Sequence, residues 1–204
     1  RKCHYDLLLD VGAHQGQFSV MAHHIRPRVA IVAYEPQSAA TDKFRAVLNR
    51  ARNVTLHQVA LGDADGDAEI NISRRSDSSS LLATSEDLPK LFKNTEHHSR
   101  ERVRVARLDS FPEHWKHAER AFLKIDVQGL ELQVLQGATE ALKHCAYVYV
   151  ECSHVELYKG QALFEDVKAF LEQRGFHVSK RLNEDVISGK LIQADYLFER
   201  KSGE

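Results

Sequence analysis

Short apolar runs alternate with segments in which apolar residues recur at helical spacing, and this alternation constrains the fold more than any other feature. The runs Tyr5–Val11, Val29–Tyr34 and Val54–Leu61 predict three strands, with an amphipathic helix between each pair. Strands that are apolar along their whole length are buried on both faces, and strand–helix–strand order makes neighbouring strands parallel. The sequence therefore predicts an α/β protein with a parallel sheet and helices on both faces.

The second half of the chain resumes this alternation after one interruption. The later predicted elements are strand Phe122–Val127, helix Leu130–Lys143, strand Tyr147–Cys152, a helix ending at Gly175, and strands Phe176–Lys180 and Tyr196–Arg200. In the interruption, Ala68–Ser73 and Val103–Leu108 predict two strands around a polar stretch, with a short helix at Leu88–Phe92. We therefore predict a single domain over residues 1–204, with an inserted hairpin and loop region at about 64–108.

The charge balance and the cysteines limit the partners and the compartment of this domain. The 204 residues carry 28 Lys and Arg against 29 Asp and Glu, so no global field attracts nucleic acid or an anionic membrane. No apolar run approaches the ~20 residues of a membrane span. Three cysteines, Cys3, Cys145 and Cys152, form an odd set without C-x-x-C spacing, which favours the cytoplasm. Oligomeric state stays open, with a homo-oligomer among the alternatives.

A glycine turn follows the first predicted strand and opens the first helix, the place where doubly wound sheets bind ligands. The segment Asp10–Gly16 reads D-V-G-A-H-Q-G, in which Gly12 and Gly16, with Ala13 between them, let a ligand approach the backbone. This spacing is not the G-x-G-x-x-G of dinucleotide binders, and Asp10 before the turn suits a positively charged amine. These features predict S-adenosylmethionine as the ligand, the alternative being an ordinary strand–helix turn.

Acids also stand at the ends of the next two predicted strands. Glu35, followed by Pro36, comes 25 residues after Asp10, and a carboxylate there can accept both hydroxyls of a ribose. Gly62 and Asp63 end the third predicted strand, where the aspartate is a candidate for contact with an adenine ring. The alternatives are a solvated strand-end acid at Glu35 and a simple turn at Asp63.

The most specific segment is Leu123–Glu131, L-K-I-D-V-Q-G-L-E, which supplies the end of the fourth main strand with Asp126 at the crevice. Eight further segments accompany it in order: Asp10–Gly16, Tyr34–Pro36, Ala60–Asp63, Ser78–Leu81, Arg107–Ser110, Val134–Ala138, Val150–Glu151 and Gln193–Phe198. On these residues the chain resembles the FkbM family of methyltransferases over nearly its whole length.

The resemblance implies a class I methyltransferase, Rossmann-like fold. Its seven-stranded, mostly parallel sheet has the order 3-2-1-4-5-7-6, the last strand is antiparallel, and S-adenosylmethionine binds across strands one, two and four. That family is associated with O-methylation of hydroxyl groups on sugars, glycans or natural-product scaffolds, so a small-molecule or glycan acceptor is expected. The alternatives are an NAD-type oxidoreductase, which the missing G-x-G-x-x-G disfavours, and a catalytically inactive binding subunit on the same scaffold.

Catalysis needs residues that position the acceptor and take its proton, because a hydroxyl is only weakly acidic. Asp126, Glu151 and His154 lie at or after the fourth and fifth main strands, on the side expected for the acceptor. We hypothesise that Glu151 or His154 is the base and that Asp126 orients acceptor or cofactor. The alternative for His154 is a surface or packing role. Lys124, inside an apolar strand, is a candidate to place its charge at the sheet end, and the alternative is a snorkelling lysine. No metal is predicted, because Asp126 and Glu151 alone do not complete a Mg²⁺ shell.

Overall fold

The structure is a computed structural model that describes residues 3–201; residues 1–2 and 202–204, the ends of the predicted domain, lie outside the described residues. Ten strands are described: β1 (Leu7–Val11), β2 (Ala30–Tyr34), β3 (Val54–His57), β4 (Ala60–Leu61), β5 (Gly66–Ser73), β6 (His97–Ala106), β7 (Ala121–Ile125), β8 (Cys145–Ser153), β9 (Phe176–Ile187) and β10 (Lys190–Arg200). Six α-helices accompany them within these residues: α1 (Gln17–Ile25), α2 (Ser38–Leu48), α3 (Leu88–Leu91), α4 (Glu131–Gln136), α5 (Ala141–His144) and α6 (Phe164–Glu172). None of the helices described has the length and apolar character that crossing a membrane requires.

Seven of these strands form the main sheet, in the order β3-β2-β1-β7-β8-β10-β9. β1 is parallel to both β2 and β7, with Leu7 opposite Ala30 on one side and Ala121 on the other. β10 is antiparallel to its two neighbours, β8 and β9. Numbered within this sheet, the order is 3-2-1-4-5-7-6 with the last strand antiparallel, so the predicted topology is confirmed.

Both faces of β1 are buried, which explains why its sequence is apolar apart from Asp10. On one face, Leu9 and Val11 belong to a core cluster that includes Val134 of α4 and Val167 of α6. On the other face, Leu8 packs in a cluster with residues of α1 and β2. Each leucine buried in this way contributes roughly 1.5–3 kcal/mol, so the central strands are the most firmly held part of the molecule.

The predicted third strand, Val54–Leu61, is divided between two sheets. Its first half is β3, after which the amide of Val59 donates to the carbonyl of His57 (3.1 Å) and the chain turns away from the main sheet. The second half, β4, pairs with β6 in a small sheet of order β4-β6-β5. The region predicted as an insertion is therefore joined to the core by strand pairing at Ala60 and Leu61.

The predicted helix Leu130–Lys143 is also wrong in its extent, because it breaks at Gly137 into α4 and α5. A Cβ on Gly137 would lie 1.9 Å from the carbonyl oxygen of Gly62, so this residue lets two backbones touch. Asp109 then accepts hydrogen bonds from the backbone amides of Glu140 and Ala141 at the start of α5. The apolar stripe continues across the break, which is why periodicity predicts one helix.

The final hairpin is longer than the predicted strands Phe176–Lys180 and Tyr196–Arg200. β9 and β10 are joined at Ser188 and Gly189, both with positive φ (51° and 77°), the conformation of a tight hairpin turn. The register places Gln193 opposite Ser153, the last residue of β8, so the turn extends beyond that end of the main sheet. The extra residues of β9, 181–187, are mostly exposed and more than half of them are polar, which hides the strand from an apolar pattern. Those of β10 include the buried Ile192 and Ala194, but they alternate with polar residues in too short a run to predict the longer strand.

Candidate functional site

The glycine turn after β1 joins three elements closely. The amides of Gly12 and Ala13 both donate to the carbonyl of Tyr34, at 3.0 and 3.1 Å. Gly12 has φ +70°, and a Cβ there would lie 1.8 Å from the carbonyl oxygen of Asp126. Gly16, with φ +92°, lies against the ring of Phe44 as α1 begins. Any side chain at Gly12 would therefore force apart the ends of β1 and β7.

A cleft of about 590 Å³, the first cleft, opens where β1, β2 and β7 end. Four of the predicted cofactor residues line it: Gly12, Glu35, Pro36 and Asp126. The small sheet and the segment before β4 supply an apolar wall that includes Val59, Leu61 and Ile70. Carboxylates at one side and apolar surface at the other can hold a nucleoside, with its hydroxyls on the acids and its ring on the apolar wall.

Glu35 is the most firmly held acid in the first cleft. Its Oε2 accepts from the amide of His14 (2.8 Å) and its Oε1 from the amide of Gln37 (2.9 Å). Burial raises the pKa of Glu35 to about 7, although both backbone donors act in the opposite direction. A carboxylate has about four acceptor positions, so the predicted bonds to two ribose hydroxyls remain open to it.

Asp10 supports the glycine turn from inside the protein, and its predicted contact with a cofactor amine stays a prediction. The side chain is completely buried; Oδ2 accepts from the Ser19 hydroxyl (2.7 Å) and Oδ1 lies 3.2 Å from Lys124 Nζ. Lys124 Nζ also donates to the carbonyl of Gly12 (2.7 Å). Lys124 is therefore a buried ion-pair partner that ties β7 to the glycine turn, and the snorkelling alternative is wrong.

Three other predicted cofactor residues lie away from the first cleft wall. Ala13 is buried beside Ala33 and Phe44, where it packs the glycine turn against α2. Gly62 donates its amide to the carbonyl of Ala106 (3.0 Å), and Asp63 next to it is exposed. The chain leaves the main sheet after His57, so Gly62 and Asp63 follow β4 of the small sheet instead of β3. Contact of Asp63 with an adenine ring does not match this placement.

The loop after β7 is held by a buried acid. The carboxylate of Glu131 accepts from the amides of Val127 (3.3 Å) and Gly129 (3.0 Å), and burial raises its pKa to about 7. Gln128 and Gly129 both have positive φ, at 57° and 101°, which is uncommon for glutamine. This tight loop directs Gln128 back over the ends of β7 and β8.

A second cleft of about 720 Å³ adjoins the first and shares Asp77, Asp126 and Gln128 with it. Glu151, partly buried, lines it; Oε1 accepts from Gln193 Nε2 (2.7 Å) and Oε2 from Gln128 Nε2 (2.8 Å). Burial and the neighbouring charges of Asp126 and Glu131 raise the pKa of Glu151 well above its ordinary value. The structure thus brings Asp126 and Glu151 together, as predicted. Within residues 3–201, no three His, Cys, Asp or Glu side chains are grouped to hold a metal ion.

His154, the other predicted base, lies elsewhere. Its Nε2 hydrogen-bonds with the Tyr196 hydroxyl (2.7 Å), and its ring packs against Phe164 of α6 at 5.1 Å between centroids. Burial lowers its pKa, and it lines neither cleft. This placement matches the packing alternative and leaves Glu151 as the base candidate.

The segment Ser76–Leu82 of the insertion forms an outer wall of the first cleft. Ser76 hydrogen-bonds through Oγ with His14 Nε2 (2.9 Å) and through its carbonyl with Gln37 Nε2 (3.2 Å). Ser80 donates its hydroxyl to the carbonyl of Gln128 (2.6 Å). The wall is therefore bonded to both sides of the cleft, a role that the serine-rich run in a long loop indicates only in general terms.

The sheet order, the glycine turn after β1 and the acid after β2 define a class I methyltransferase fold. Solved structures with this fold include precorrin-6y C5,15-methyltransferase from Geobacter metallireducens GS-15 (16% identity, TM-score 0.52, covering 96% of this chain and 80% of that one). Another is Aeropyrum pernix fibrillarin in complex with natively bound S-adenosyl-L-methionine (10% identity, TM-score 0.51, 94% and 66% covered). At these identities the likeness shows the fold.

The chain belongs to the FkbM methyltransferase family, since the model of the methyltransferase FkbM domain matches residues 10–178. The 2-O-methyltransferase NoeI of Sinorhizobium fredii is 26% identical over 165 residues, covering 76% of this chain and 66% of NoeI, just under two thirds. Methyltransferase 1 of Beauveria bassiana is 26% identical over 184 residues (84% and 72% covered). The resemblance is confirmed; family and fold support the predicted cofactor, S-adenosylmethionine, over a nicotinamide dinucleotide.

Proposed function

We propose that this protein transfers a methyl group from S-adenosylmethionine to a hydroxyl oxygen of a sugar, glycan or natural-product scaffold. The observation that carries the proposal is the Glu151 carboxylate, which faces a polar cleft directly beside the first cleft. The name of NoeI, a 2-O-methyltransferase, supports oxygen as the accepting atom. An oriented carboxylate in the wall of a cleft is the group that hydroxyl methylation needs and that a binding subunit does not.

The first cleft supplies the residues that hold the cofactor. Glu35 would accept the two ribose hydroxyls, the turn at Gly12 would hold the amino-acid part, and Asp126 would offset its positive charge. The apolar wall with Val59 and Leu61 would hold the adenine ring. When bound, this cofactor supplies a methyl group made electrophilic by a sulfonium, so the protein's main task is to position the acceptor oxygen in line with it.

Glu151 takes the proton of the acceptor hydroxyl as the oxygen forms its bond to the methyl carbon and the carbon–sulfur bond breaks. The raised pKa of Glu151 suits this role, because a carboxylate with a higher pKa is a stronger base than an ordinary one. Gln193 and Gln128 hold its two oxygens and so set the direction from which the hydroxyl approaches. Asp126, at the junction of the clefts, orients the acceptor against the cofactor.

The lining of the second cleft favours a neutral, polyhydroxylated acceptor. Asp126, Glu151 and Asp185 offer hydrogen-bond acceptors to hydroxyl groups. Arg75, a cation that lines this cleft, is already paired with Asp77 at 2.8 Å. An acidic acceptor would meet these carboxylates, and among the described residues that line the cleft no other cation would offset them. We further propose a cytoplasmic location, which the free thiols of Cys3, Cys145 and Cys152 support.

Two measurements test this proposal in sequence. Calorimetric titration with S-adenosylhomocysteine is expected to show micromolar binding that Glu35→Ala abolishes, with NAD giving no heat. Transfer of labelled methyl from the donor is then measured on neutral oligosaccharides, uronic-acid oligosaccharides and simple amines. We expect methylation of the neutral sugars, reduced 10²–10⁴-fold by Glu151→Gln, a typical range for losing a general base. Glu165→Gln, the same change at an exposed glutamate, is the matched control. Methylation of amines alone would refute O-methylation. Failure to bind S-adenosylhomocysteine would favour the inactive binding subunit.

A further inference from the structure

Gln128 lies between the two carboxylates at the junction of the clefts. Its Nε2 donates to Asp126 Oδ1 (2.7 Å) and to Glu151 Oε2 (2.8 Å). We propose that Gln128 is a positioning residue, whose amide bridges Asp126 and Glu151 and holds the Glu151 carboxylate in the orientation that receives the acceptor proton. This inference rests on the proposed function, because it assigns a role to the neighbour of the proposed base.

The orientation of the amide is set by a third residue. A glutamine amide can be flipped by 180° about its last bond, which would direct its oxygen at the two carboxylates and repel them. The hydroxyl of Tyr158 donates to Gln128 Oε1 at 2.8 Å and so fixes the NH₂ group on the carboxylate side. Tyr158 is itself 2% exposed, and the carbonyl oxygen of Ser78, 3.1 Å from the same hydroxyl, is a second and more distant acceptor for its single proton. The bridge is therefore anchored in the protein and does not depend on a ligand.

The backbone of Gln128 is constrained as strongly as its side chain. The residue has φ +57°, a conformation that costs a non-glycine residue roughly 1–2 kcal/mol and that surrounding contacts must maintain. Its carbonyl accepts the Ser80 hydroxyl at 2.6 Å, and the next amide, that of Gly129, is bound by Glu131. In this conformation the side-chain amide reaches both Asp126 and Glu151.

The bridge acts within a strongly charged environment. The charged groups around the Glu151 carboxyl are Asp126 and Lys124 on the β7 side, Glu131 of α4, Asp185 of β9, Asp195 of β10, and the Arg75–Asp77 pair. Most of these charges are negative and destabilise the anionic form of Glu151, while the amide of Gln128 stabilises it. Removing this donor is expected to favour the protonated acid and to release the carboxyl from its orientation.

The test is a titration of Glu151 that needs no acceptor. Protein labelled with carboxyl-¹³C glutamate is titrated by NMR, and the Glu151 signal is identified by its loss in Glu151→Gln. Gln128→Met is expected to move the Glu151 midpoint upward by about one pH unit, because hydrogen bonds to ionised groups are stronger than neutral ones. The exposed Gln173→Met, the same change of side chain far from Glu151, is expected to leave it in place. Tyr158→Phe keeps the amide but frees it to rotate, so a smaller shift in the same direction is expected.

Each outcome decides the inference. An unchanged Glu151 midpoint in Gln128→Met overturns it, and Tyr158→Phe, which removes one oxygen atom, provides the same decision if the first variant does not fold. Upward shifts in both variants with no shift in the Gln173→Met control support it. Failure of the proposed function is a separate result: the wild-type protein would then not transfer methyl to hydroxyls, whatever the midpoints are.

Discussion

The buried ion pair between Lys124 and Asp10 supports the sharpest prediction about stability. Lys124→Met keeps the length and apolar character of the side chain while removing its charge. Asp10 then remains completely buried with the Ser19 hydroxyl as its hydrogen-bond partner, and the carbonyl of Gly12 loses a donor. Burial alone would lower the pKa of Lys124, but Asp10 and Asp126 outweigh this and raise it, so the lysine is charged in the folded protein.

The magnitude follows from leaving one charge buried without its partner. Breaking such a pair costs about 3–5 kcal/mol, whereas a whole domain is stable by about 5–15 kcal/mol. For a chain of this size, each kcal/mol moves Tm by about 2–4 °C, so a fall of roughly 6–20 °C is expected. The double variant with Asp10→Asn is expected to recover a large part of this loss, because it removes the unpaired charge.

Denaturation in guanidinium at neutral pH, followed by circular dichroism, measures the free energy of unfolding directly. Lys143→Met is the matched control: its partner Glu140 lies 2.7 Å away, but both side chains are more than half exposed, at 68% and 57%. An exposed pair is worth less than about 1 kcal/mol. If Lys124→Met were no more costly than Lys143→Met, the buried pair would not hold the turn as argued.

Two further predictions concern the first cleft and the helix break. The pKa of Glu35 is about 7, and its ionised form is the one that accepts hydroxyls. The affinity for S-adenosylhomocysteine is therefore expected to rise up to tenfold per pH unit from about pH 5.5 and to level off above pH 7. Calorimetry at several pH values checks this, and an affinity that does not change with pH contradicts it. Gly137→Ala places a Cβ 1.9 Å from a carbonyl and is expected to cost at least about 1–3 kcal/mol in thermal unfolding. Gly66→Ala, with nothing within 4 Å, is expected to change stability by less than about 0.5 kcal/mol, and equal effects of the two would contradict this reading of the break.

The main sheet could be predicted from the sequence because burial on both faces leaves a direct pattern. The strands Leu7–Val11 and Ala121–Ile125 are apolar on both faces, apart from the buried Asp10 and Lys124. Division of the third strand after His57 could not be predicted, since Ala60 and Leu61 are as apolar as a continuing strand would be. Their partners in β6, Val105 and Ala106, lie 45 residues further along the chain.

The candidate site could be predicted at the level of strand ends, but not of side-chain partners. The position of Asp10 at the end of a strand indicates a ligand contact, yet its carboxylate forms an ion pair with Lys124, 114 residues later in the chain. Conversely, Gln128 carries no periodic or compositional signal. Its importance comes from a left-handed backbone and from Tyr158, neither of which a sequence pattern contains.

The wall formed by Ser76–Leu82 shapes the two clefts but lies outside the core that stabilises the fold. It belongs to the small sheet and its loops, whereas the firmly held core lies in the central strands of the main sheet. Because the wall borders both clefts, changes in its length or composition would reshape the second cleft while the glycine turn and the Lys124–Asp10 pair stay intact. If the proposed function holds, an engineer who wishes to change the acceptor would therefore exchange this segment and leave the strands as they are.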